Sequence, residues 1–106
     1  MIEIKLTIDG KKQTFKKREI TIRDNIFAVK HQILATQHYS DTEKANDPEE
    51  YEKIQLNFAK TIAQIFGNEF TADQLLDGLG SKESEVLNEI YLQALGGTVD
   101  EDAEKK

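Results

Sequence analysis

The chain contains no cysteine and no tryptophan, a single proline and only two histidines. Without cysteine it can form no disulfide, no thiolate zinc site and no cysteine nucleophile, which suits a reducing compartment. No apolar run approaches the ~20 residues needed to span a bilayer. The N-terminus, from Met1 to Ile8, alternates apolar and polar residues instead of forming the continuous core of a signal peptide. A soluble, cytoplasmic protein is the expectation.

What the chain does contain is charge. It has 106 residues, 38% of them hydrophobic and 32% charged, with a net charge of −6. That length fits one domain with a core of modest size. Residues 1–39 carry eight basic and four acidic side chains, a net of +4, and residues 40–106 carry six basic and sixteen acidic, a net of −10. Overall acidity argues against general nucleic-acid binding, which needs a basic field. The asymmetry reads either as an ordinary polar surface or as head-to-tail attraction between copies that would weaken with salt.

Ile2, Ile4, Leu6 and Ile8 alternate with Glu3, Lys5 and Thr7, the period of a strand with one buried face. Asp9-Gly10 signals a type I′ hairpin turn, and a return strand follows to about Lys17, with Phe15 its one large apolar residue. A lone hairpin is marginal, so it must pack on helices or pair its edge with another chain. Lys11, Lys12, Lys16, Lys17 and Arg18 form a basic run. Lysines guard an exposed strand edge, and these five are the candidates for self-association. A small regulatory or nucleic-acid-associated domain using residues 11–18 is the alternative reading.

Thr21 and Asp24 form a capping box for a helix over about 22–39, with Ile22, Ile26, Val29 and Ile33 on one stripe, widened by Phe27 and Leu34. His31 and His38 lie about 10 Å apart on one face, too far to share one metal ion, and read as exposed or rim residues. Residues 40–47 read as a polar loop. Asp47-Pro48-Glu49-Glu50 then starts a helix over 48–66, with a cap, a proline at the first helical position and acids at the positive end. Its stripe is Tyr51, Ile54, Phe58, Ile62 and Ile65.

The chain turns on the segment from Phe66 to Leu79. Gly67 supplies the positive φ that commonly ends a helix. Thr71 and Gln74 form a second capping box, and Phe70 and Leu75 have the spacing of a hydrophobic staple. A short helix over 72–78 ends at Asp77-Gly78-Leu79-Gly80, which lacks the spacing of a phosphate loop. Ser81 is placed to cap a last helix over 82–95, which Gly96-Gly97 stops. Residues 98–106 read as a disordered acidic tail. The expected fold is α+β: one domain over 1–97, with an N-terminal β-hairpin (2–17) packed on a bundle of three to four α-helices.

The series Phe66-Gly67-Asn68-Glu69-Phe70-Thr71, followed by Asp77-Gly78-Leu79, resembles the corner motif of the tail assembly chaperones of long-tailed (siphovirus-type) phages and prophages. The likeness runs from Ile2 to about Leu95 and is strongest at Phe66–Leu79. It implies a non-catalytic protein that coats the tape measure protein before the tail tube polymerises, and that forms homo-oligomers. A frameshift-extended form would recruit the tail tube protein. No membrane, nucleic-acid or cofactor partner is implied.

No catalytic constellation stands out. Glu49, Glu50 and Glu52 crowd a helix start, and Asp73 and Asp77 lack a third ligand. The remaining chemistry is apolar surface. Phe66, Phe70, Leu75, Leu76, Leu79, Ile90, Tyr91 and Leu95 are candidates for a groove that takes an amphipathic helix of the partner.

Overall fold

The computed structural model describes residues 2–96. Strands β1 (Ile2–Ile8) and β2 (Lys11–Lys17) pair antiparallel, from Ile2 opposite Lys17 to Ile8 opposite Lys11. Asp9 and Gly10 join them with φ of 54° and 79°, both left-handed as a type I′ turn requires. Ile2, Ile4 and Leu6 point into the core, while β2 contributes only Phe15. Phe15 lies opposite Ile4 and packs its ring edgewise on Phe70, 4.9 Å between centroids.

Helix α1 (Ile22–Ser40) starts with the expected capping box: Thr21 Oγ1 accepts from the Asp24 N–H, and the Asp24 carboxylate accepts from the Thr21 N–H at 2.9 Å. That carboxylate is buried and also pairs with Lys17 Nζ at 2.8 Å, which ties the end of the hairpin to the start of the helix.

The face that α1 buries is not the expected one. Ile22 is 82% exposed, Ile26 51% and Ile33 53%, whereas Asp24, Ala28, His31 and His38 are buried. The two sets run two residues out of phase, about 200° around the helix, so the isoleucine stripe points directly outward. Both histidines are therefore interior, not rim residues. The reason lies in what α1 packs against. Ala28 has no bulk and lets α1 come close to its neighbours. His31 Nδ1 donates to Asn57 Oδ1 at 2.7 Å, and Asn25 Nδ2 donates to the Ala94 carbonyl at 2.8 Å. The neighbouring helices offer polar and aromatic partners, so α1 turns its polar face to them.

The polar segment 40–47 is not wholly loop. It contains a one-turn helix α2 (Thr42–Ala45), whose N–H groups at Glu43 and Lys44 donate to the Asp41 carboxylate. Helix α3 (Pro48–Ile65) starts as expected, with Asp47 accepting from the Glu49 N–H and Pro48 in the first turn. Helix α4 (Ala72–Gly78) packs on α3 and on β1. Ser81 does not cap the last helix. Ser81–Glu83 form a 3₁₀ turn, and α5 (Glu85–Ala94) begins after Ser84 with no side-chain cap. The core gathers Ile4, Leu6, Ile62, Ile65, Phe70, Leu75 and Ile90, so hairpin, α3, α4 and α5 share one interior. The tail expected at 98–106 lies outside the described residues.

Candidate partner-binding surfaces

The corner after α3 is built by backbone hydrogen bonds. The Asn68 N–H donates to the Ala63 carbonyl at 2.8 Å and the Gly67 N–H to Gln64 at 3.0 Å, the paired closure of a Schellman motif. Gly67 and Asn68 hold φ of 69° and 60°. The chain then reverses, Phe70 drops into the core, and Thr71 and Gln74 close the second capping box at 2.9 and 3.0 Å.

This reversal leaves a cleft of about 510 Å³ between α3 and the start of α4. Leu56, Ala63, Phe70 and Ala72 give its apolar lining, and Lys60, Gln64, Asn68, Thr71 and Asp73 its polar lining. A ligand side chain entering it would meet hydrocarbon beside amide and hydroxyl groups and one charge of each sign. That chemistry suits an apolar residue on an amphipathic helix.

Of the eight expected groove residues, Phe66, Phe70, Leu75 and Ile90 are at most 3% exposed and serve the core. Of these four only Phe70 lines the cleft, as its floor. Leu76 is 48% exposed and lies four residues beyond Ala72, on the same face of α4. Leu79, Tyr91 and Leu95 are half-buried against the core. Tyr91 stands apart from the corner, in a ring cluster with His31 and Phe58 at centroid distances of 5.5 and 5.3 Å. Burial pushes its phenol above the ordinary tyrosine range. Leu56, Lys60 and Gln64 line the cleft and are not among the eight residues expected from the sequence. Leu56 and Ala63 lie beside the α3 stripe of Tyr51, Ile54, Phe58, Ile62 and Ile65, and a flank is where a groove forms.

Among the basic run, Lys11, Lys12, Lys16 and Arg18 are exposed, but Lys17 is half-buried and neutralised by Asp24. Of the five cations of this run, the other four make no ion pair among the described residues. Among the described residues no three His, Asp or Glu side chains gather as a metal site. No described helix is long and apolar enough to cross a membrane.

A hairpin on a small helical bundle, with an apolar cleft at a glycine corner, defines a small α+β domain whose distinctive surfaces are helix faces. The sequence matches the family model described as phage tail chaperone protein over residues 1–106, and the chain belongs to that family. No curated protein and no solved structure matches it.

Proposed function

We propose that the chain is a non-catalytic tail assembly chaperone that binds the tape measure protein in the host cytoplasm and keeps it soluble until the tube forms around it. Membership of the phage tail chaperone family over residues 1–106 carries this reading. The corner cleft supports it, because a tape measure protein rich in long amphipathic helices would present apolar side chains of the kind the cleft fits. Leu76, exposed on the face of α4 that carries Ala72, would lengthen the contact beyond the cleft, and Lys60 and Asp73 would set the register of the bound helix. Tyr91 and Leu95 on α5 would form a second contact.

Co-expression with the tape measure protein, followed by size-exclusion chromatography with light scattering, tests this. The wild type should bring the partner into the soluble fraction. Leu76→Asp should cut co-elution at least about tenfold while leaving the melting temperature within a few degrees, since Leu76 is half exposed. Undiminished capture by a folded Leu76→Asp chain would displace the site from the corner. A partner that stays insoluble beside the wild type would sink the tape measure reading.

A further inference from the structure

The outward stripe of α1 is unused by the core and by the corner cleft. Ile22, Ile26, Val29 and Ile33 follow one another at helical spacing, and the three isoleucines are more than half exposed. Leu34 beside them is 44% exposed. Leaving this much branched hydrocarbon in water while burying two histidines and an aspartate on the opposite face costs free energy unless something covers the stripe.

The charges around the stripe say what would cover it. Arg23 and Lys30, seven residues apart, run along one border and are exposed. The only acid in α1, Asp24, is buried on the far side and neutralised by Lys17. The outward face of α1 is therefore apolar and cationic. Helix α5 carries the complement: Glu85, Glu89 and Leu92 recur at spacings of four and three, all exposed, with Leu92 at 48%.

We propose that the Ile22–Ile26–Val29–Ile33 stripe is an interface with a second copy of this chain, where Arg23 and Lys30 of one copy meet Glu85 and Glu89 of the other. The apolar residues supply the association energy and the charges select the orientation. The surface is separate from the corner cleft, and the proposal stands whether or not that cleft takes the tape measure protein.

Light scattering of the purified chain across a concentration series tests it. The wild type should run heavier than its 12.1 kDa monomer and should dissociate more readily at about 500 mM than at about 50 mM salt. The double variant Ile26→Glu, Ile33→Glu should run as a folded monomer. Arg23→Glu with Lys30→Glu should weaken association at least about tenfold, and adding Glu85→Lys with Glu89→Lys should restore it. The charge variants carry the test even if the isoleucine variant fails to fold. A wild type that stays monomeric at every concentration overturns the proposal. So does a charge reversal that leaves the mass unchanged, or association lost only when the hairpin lysines are changed. If the isoleucine variant keeps the wild-type mass but no longer captures the tape measure protein, the stripe belongs to that partner instead.

Discussion

Gly78 excludes a side chain by distance, not by torsion. A Cβ there would lie 2.7 Å from the Thr7 carbonyl oxygen and 3.3 Å from Leu6 Cβ, so only a hydrogen allows α4 to rest on β1. Backbone cannot step aside as a flexible side chain would. Gly78→Ala should therefore cost about 2 kcal/mol or more by the usual penalty for overpacking, read from urea unfolding. A loss under about 0.5 kcal/mol would mean that α4 is free to back away from the strand. The glycine reads in the sequence as a turn residue, and its actual duty depends on a strand some seventy positions earlier, which no local pattern reveals. Lys17 and Asp24 teach the same lesson. One looked like part of a basic run and the other like half of a cap, and only the fold brings them to 2.8 Å.

Element boundaries were legible where the signal is local. Asp9-Gly10, the Thr21 and Thr71 capping boxes, Asp47-Pro48 and Gly67 each act through atoms within four residues, and each appears where its spacing places it. Gly67 permits a sharp test. Nothing lies within 4 Å of a Cβ built on it, so the whole penalty for alanine comes from its φ of 69°. Gly67→Ala should cost about 1 kcal/mol and Gly67→Asn less, because asparagine tolerates the left-handed region. Equal losses by thermal unfolding would show that the cost is not torsional. The orientation of α1 was not legible in this way. Its apolar residues are well phased, but which stripe faces inward is decided by Asn57, Phe58, Tyr91 and the Ala94 carbonyl on other helices. The corner could be read from its motif. The cleft beside it could not, since half its wall comes from the side of α3 that a single-stripe reading ignores.

On the scale of the whole molecule, α1, α3 and α5 meet in the cluster of His31, Phe58 and Tyr91. Burial raises the Tyr91 phenol, so the folded chain holds that proton to higher pH than the unfolded chain does. Stability from this group is complete below the ordinary tyrosine value of about 10 and falls as pH climbs through the raised folded value. Tyr91→Phe should flatten part of the decline above about pH 10, measured by urea midpoints. An unchanged slope would mean that Tyr91 contributes none of it. The packing of α4 on β1 also sets a schedule. Ile2, Ile4 and Leu6 leave the ribosome well before α4, which packs on their strand with Gly78 against Leu6 and Thr7 and is made about seventy residues later. At bacterial rates of about 5–20 residues per second, the strand waits on the order of 4–14 s before its cover exists. During synthesis the nascent chaperone is itself a client, an uncovered β-strand whose lysine-rich partner β2 is its earliest protection.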